Sequence, residues 1–416
     1  MTTAVTSFER VDPRFDARLA ALAELCVARA VALQQGQELI VSAPLEAAPL
    51  VGHIARRAYA RGCRSVTCLY EDPALIRAHI VASVGDALDY VPAWINRGSA
   101  EALSAGAARL QIVGPYPDLL SGVPVERIAR AHAALARASQ SLSQSLASMP
   151  IVSSVVPIAT ASWARQVFPD LPESEGQSQL WNAVFDAMRV VDANPLQAWD
   201  AHLRMIDARR TALQRHDFRS LRFFDADTDL RVDLADGHQW VGGTVVVGGI
   251  ETVQSLPTEE IFTALRGDGA HGRVRFSRPL APGGTIVEGL YAEFDHGTLR
   301  KVTADRGLEG FEQLIAGDAG ARRLGEVGLV PASSRIARTG INFWNPLFDR
   351  NAASHVAFGQ SPAAGISRSA SAQDSSGANQ SAMHFDCALG HATMQVDGIT
   401  RSGDVVPVMR DGAFVD

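Results

Sequence analysis

A chain of 416 residues has room for two domains with separate cores, and 47% hydrophobic with 20% charged residues is the composition of an ordinary globular protein. The net charge of −7 excludes a broad nucleic-acid footprint, which requires a basic surface. No basic segment leads into an apolar one near the N-terminus, and the most apolar stretch, Ile151 to Trp163, is too short for a bilayer. Neither secretion nor membrane insertion is therefore expected. Four cysteines, Cys26, Cys63, Cys68 and Cys387, lack zinc-finger spacing and read as buried free thiols in a reducing, cytoplasmic setting.

The first third alternates helix and strand. Leu19, Leu22, Cys26, Ala30 and Leu33 recur at helical spacing, with Gly36 placed to end that helix. Leu39 to Val41 reads as a buried strand. A helix over about Pro49 to Arg61 follows, then a strand around Val66 to Tyr70. Leu110 to Val113 is the next strand, before a long helix from about Val125 to Leu146. This alternation predicts a parallel sheet covered by helices. The glycine-rich run from Val241 to Gly249 matches no dinucleotide or phosphate-loop pattern, so its glycines are assigned to turns. From about residue 215 the chain becomes hairpin-rich. Leu230, Val232 and Leu234 alternate with Arg231 and Asp233, and a strand region containing Val287, Leu290 and Phe294 turns at Asp295-His296-Gly297 into Leu299 to Val302. The expected fold class is α/β in two domains. Residues 1–215 form a parallel-sheet α/β domain, and residues 216–416 form a mixed α+β metal-binding catalytic domain. Residues 361–382 are small and polar and predict a mobile loop.

Two-metal hydrolysis needs carboxylates that can bridge cations and imidazoles that complete each shell. The second half offers Glu259 and Glu260, Glu326, His355, and His384 with Asp386. If the last segment is a strand, His384 and Asp386 share a face. Taken singly these residues carry little. Glu259-Glu260 reads as a solvated helix start capped by Thr258, Glu326 as a surface charge, and each histidine as a hydrogen-bonding one.

Their order along the chain carries more. The phrases Pro257-Thr258-Glu259-Glu260-x-Phe262-Thr263, GARRLGEV-x-LVP from Gly320, NAASH-x-AFGQ from Asn351, and His384-x-Asp386 follow one another. Together they resemble the M29 metallopeptidases, the aminopeptidase T and aminopeptidase S type, over essentially the whole chain. The resemblance implies a metalloaminopeptidase in which metal-bridged hydroxide attacks the N-terminal peptide bond. It implies two divalent ions (zinc, cobalt or manganese) held by Glu260, Glu326, His355, His384 and Asp386, with Glu326 between them. It also implies a peptide or small-amide substrate and a homodimer whose N-terminal domain helps enclose the site. Glu259, directly before a ligand glutamate, is assigned as general base by analogy with unrelated two-metal aminopeptidases.

One departure stands out. Where the family has a tyrosine after AFGQ-x, this chain has Pro362, which cannot donate a hydrogen bond to a developing oxyanion. Ser361, Ser367 or a main-chain amide is left to replace it. His391 falls on the opposite strand parity from Asp386 and is left out of the site. Two alternatives remain open. One is a mononuclear-iron dioxygenase of the 2,5-dihydroxypyridine type using His355, His384 and Asp386; the other is a narrow amide hydrolase on the same fold.

Overall fold

The computed structural model describes residues 14–148, 150–281, 285–367 and 376–415. It resolves into two compact units, residues 1–199 with 244–256, and residues 200–243 with 257–416. The expected boundary at 215/216 differs from this division. The helix Pro195–Arg215 is continuous across residue 200, and nothing in a helical period marks where a helix changes allegiance. Residues 244–256, assigned by sequence to the second domain, belong to the first unit. There Val155 N–H bonds to Gln254 O at 3.0 Å and Leu256 N–H to Val155 O at 2.9 Å.

The first unit is built on β1 (Glu38–Pro44), β2 (Ser65–Glu71), β3 (Ala108–Val113) and β4 (Ser153–Pro157). They form a parallel sheet in the order β2-β1-β3-β4, as strand–helix alternation predicts. The helices Ala48–Ala60 and Val125–Ser148 lie within two residues of their expected limits at every end. Cys26 and Cys63 are buried, Cys68 is half-buried, and none of the four cysteines is in a disulfide. Among the described residues no helix is long and apolar enough to cross a membrane.

The second unit is antiparallel. Its strands are β5 (Phe218–Phe224), β6 (Asp229–Leu234), β9 (Ile261–Arg275), β10 (Tyr291–Asp295), β11 (Thr298–Thr303), β12 (Leu324–Leu329), β13 (His355–Gly359), β14 (His384–Ala388), β15 (Gln395–Thr400), β16 (Val405–Arg410) and β17 (Ala413–Phe414). The small hairpin of β7 (Val245–Val247) and β8 (Ile250–Thr252) lies in the first unit. The large sheet runs β14-β13-β12-β9-β6-β5-β15-β16-β17, with β10 and β11 branching from β9. Leu230, Val232 and Leu234 of β6 are buried as their alternation requires.

Alternation matters most on β13 and β14. Phe358 faces Phe385 across the ladder, and their rings stack with centroids 5.3 Å apart. Phe311 packs edge-on against both. This aromatic layer occupies one face of the two strands. His355 and Ala357, with His384 and Asp386, therefore occupy the other. A slip of one residue would exchange the faces, so the aromatic layer also fixes the register of the polar groups.

Candidate metal centre

Four neighbouring segments deliver the polar groups. Glu326 on β12 pairs with Ala357 on β13, and Ala357 pairs with Asp386 on β14. The methyl of Ala357 thus separates two carboxylates on one face of the sheet. On its other side Glu326 pairs with Ala264 of β9, whose first residue follows Glu260. Glu260 shares the parity of Phe262 and Ala264, so it reaches the same face from the strand end. The ladder between β12 and β13 shifts register between Leu324 and Glu326, an irregularity of the kind that re-aims side chains beside sites. Gly328 lies opposite His355, and a Cβ there would collide with the imidazole. Only glycine lets the ring lie across β12.

The distances follow from this placement. His355 Nε2 lies 3.5 Å from Glu260 Oε2, 3.6 Å from Glu326 Oε1 and 4.0 Å from Asp386 Oδ1. His384 Nε2 lies 3.8 Å from Glu326 Oε2 and 3.4 Å from Asp386 Oδ1. The ligand atoms form two groups, Glu260–Glu326–His355 and Glu326–His384–Asp386, each within 4.8 Å, and Glu326 belongs to both. Both imidazoles are oriented by main chain. His355 Nδ1 bonds to Ala353 O at 3.1 Å, and His384 Nδ1 to Gln360 O at 2.8 Å. Carbonyls only accept, so each Nδ1 carries its proton and each Nε2 is turned toward the carboxylates.

Three atoms of the cluster are buried and make no hydrogen bond: Glu260 Oε2, His355 Nε2 and Asp386 Oδ1. Leaving such a group unsatisfied costs ~1–3 kcal/mol, and more when it is charged. The three sit together, two carboxylate oxygens around one imidazole nitrogen. Hard carboxylate and imidazole donors in this arrangement fit divalent cations. Burial opposes a charge on His355, but the nearby carboxylates of Glu326, Asp386 and Glu260 raise its pKa to about 9. Asp386 raises His384 to about 9 as well. An entering cation must displace these protons.

Glu259 and Glu260 point apart. They precede a strand rather than start a helix, and both are buried. Glu260 joins the cluster. Glu259 lies outside the two ligand groups, its Oε2 3.6 Å from His202 Nε2. His202 also bonds to Thr258 O at 2.8 Å, and Asn351 Oδ1 accepts the Glu259 N–H at 2.7 Å. Asn351 is the first residue of the NAASH phrase. Ser354 of the same phrase clamps Val330 through its hydroxyl, at 3.0 Å to both Val330 N and O. Two motif residues thus brace the site without facing a cation. His391 pairs with Asp225 at 2.8 Å, away from the cluster.

Sequence reasoning missed Arg350. Its Nε donates to Glu260 Oε1 at 2.6 Å, and its Nη2 donates to the same oxygen. It directly precedes Asn351, but the carboxylate it meets is ninety residues earlier in the chain. His202 was missed for the same reason.

The expected mobile loop, residues 361–382, needs correction where it is described; residues 368–375 lie outside the described residues. Ser361, Ser376 and Asn379 are buried. The Ser361 hydroxyl donates to Leu265 O at 3.1 Å and accepts from Asn379 N at 2.9 Å. Composition alone missed this, because small polar residues bury well once their hydrogen bonds close on a neighbouring strand. Ser361 is therefore committed to anchoring and is a poor replacement for the absent tyrosine. Pro362 sits at φ −68°, its preferred backbone angle.

Residues 15–414 match the family described as thermophilic metalloprotease (M29). The chain is 42% identical over 404 residues to the aminopeptidase T of Thermus thermophilus, covering 96% of this chain and 99% of that one. It is 35% identical over 404 residues to aminopeptidase 2 of Geobacillus stearothermophilus, covering 96% and 98%. The structure of wild-type AmpT from Thermus thermophilus superposes with a TM-score of 0.90 at 42% identity, over 97% of this chain and all of that one. A 2,5-dihydroxypyridine dioxygenase from Pseudomonas putida gives 0.51 at 13% identity, over 94% and 96%, which is a likeness of fold alone.

Proposed function

We propose, from the premise that the chain belongs to the thermophilic metalloprotease family M29 and is a metal-dependent aminopeptidase, that Glu260, Glu326, His355, His384 and Asp386 hold two divalent ions sharing Glu326. One observation carries this reading. The two carboxylate oxygens of Glu326 face different histidines, Oε1 toward His355 and Oε2 toward His384. A single-metal site of two histidines and one carboxylate has no use for Glu260 and Glu326 as well, which weighs against the dioxygenase chemistry.

Such ions, when bound, polarise a scissile carbonyl and make water acidic enough to attack at neutral pH. The chain's own residues do the rest. The carbonyls of Ala353 and Gln360 fix the tautomers of His355 and His384 and turn each Nε2 toward Glu326 and Asp386. Glu259 moves the proton, its main chain held by Asn351 and its carboxylate beside His202. The substrate is a peptide with a free amino terminus, and the working assembly is a homodimer, to be checked by sedimentation velocity.

The test combines metal counting with turnover. Protein purified without added metal is loaded with zinc, cobalt or manganese and assayed on peptides and aminoacyl-p-nitroanilides. Two ions per chain with turnover that depends on them is the expected result. One tightly held iron and no peptide cleavage would overturn it. With Pro362 in place of a phenolic donor, generic substrates are expected to be slow, and Pro362→Tyr to raise kcat by up to ~100-fold. No gain would mean that another donor already holds the oxyanion.

A further inference from the structure

The cluster is asymmetric, and one arginine makes it so. The side chain of Arg350 is half-buried, and its guanidinium lies 5.9 Å from the centroid of the Phe262 ring. Two of its nitrogens converge on Glu260 Oε1. That oxygen is spent, and Oε2 is left facing His355 Nε2. Among the described residues no guanidinium hydrogen-bonds the carboxylates of Glu326 or Asp386 in this way; Arg350 acts on them through its field.

The charges show what this does. Glu260, Glu326 and Asp386 with Arg350 carry a net charge of −2, enough to neutralise one divalent ion and not two. A cation accepted by Glu260 and His355 must share its carboxylate with a fixed positive group. In a buried site, where water screens little, that repulsion is costly. The like charge cannot leave by deprotonation, because a guanidinium stays protonated in proteins.

We propose that Arg350 makes the two ion positions unequal. The position formed by Glu326, His384 and Asp386 fills first and retains its ion. The position formed by Glu260, Glu326 and His355 fills only at high free metal, and Arg350 holds Glu260 in place while it is empty. Full activity is then coupled to metal supply. This inference rests on the five-ligand reading above.

The test uses the full chain, stripped with chelator and titrated with zinc alone, read by calorimetry and by equilibrium dialysis with elemental analysis. The wild type is expected to take one ion tightly and a second at least ~100-fold more weakly, the order of effect one poorly screened charge produces. Arg350→Gln should tighten the second step at least ~10-fold. Arg350→Lys, which keeps the positive charge beside Glu260 but loses the fork, should tighten the second step less than Arg350→Gln does. A merely structural arginine predicts the opposite sign, a weaker second step in Arg350→Gln, and that result would overturn the proposal. Equal steps in the wild type would overturn it too, and this arm needs no variant. Glu260→Gln should lose the weak step and keep the tight one; losing the tight step instead would sink the assignment. If neither wild type nor variants take up zinc, the metal reading fails and this inference with it.

Discussion

Two groups of histidine and carboxylate lie in the second unit with the same ligand types and opposite surroundings. At the tip where β9, β10 and β11 meet, His271, Asp295 and His296 bring ligand atoms within 4.8 Å of one another, as the core cluster does. There, however, His296 Nδ1 bonds to Asp295 Oδ1 at 2.7 Å, and His296 N–H reaches His271 Nδ1 at 3.4 Å. Asp295 and His296 are exposed, the His296 side chain by 80%. In the core, Glu260, Glu326 and His355 are buried, and three atoms of the cluster have no partner. Proximity of ligand types is therefore a weak signal. Groups that water can satisfy lose little by holding no ion. Buried groups left without a hydrogen-bond partner gain most from a cation.

The strongest way to break this comparison is Glu326→Gln. If Glu326 serves both ions, the variant should lose metal at both positions and at least ~100-fold in kcat/KM, since even outer partners of ligands cost 10–100-fold. A variant with full metal content and most of its turnover would remove Glu326 from the centre. Next comes Glu259→Gln, which should keep both ions while kcat falls ~10²-fold, the lower range for lost acid–base catalysis. Loss of metal instead would show that the two adjacent glutamates share the ligand role. His202→Ala should be milder, about tenfold in kcat, with little further loss in the double variant because both act on one proton-transfer group. A fully additive double variant would separate His202 from Glu259. The smallest effect belongs to the hairpin tip. His271→Ala with His296→Ala should leave ion stoichiometry and turnover unchanged, and a drop of one ion per chain would show that exposure is no guide.

Legibility followed distance along the chain. The face shared by His384 and Asp386 was readable from strand spacing, whereas β13 and its apolar face were not read from the sequence. The fold class was readable because strand–helix and strand–turn–strand patterns repeat over short windows. The proposed ligand set came from the resemblance carried by long motifs in order, whereas composition pointed the wrong way for the ends of residues 361–382, now seen packed through Ser361 and Asn379.

By itself, then, the sequence determined the strand–helix alternation of the first unit, the buried face of β6, and that His384 and Asp386 share one face of a strand. Those are consequences of side-chain period and local backbone sterics, which act over a few residues. Tertiary structure alone decided that Glu259 turns to His202 and Glu260 to His355 and Arg350, 57, 95 and 90 residues away along the chain. It also decided which atoms stay unpaired in the core. Such pairings depend on register across several strands and on which water is excluded, and no short stretch of sequence encodes either.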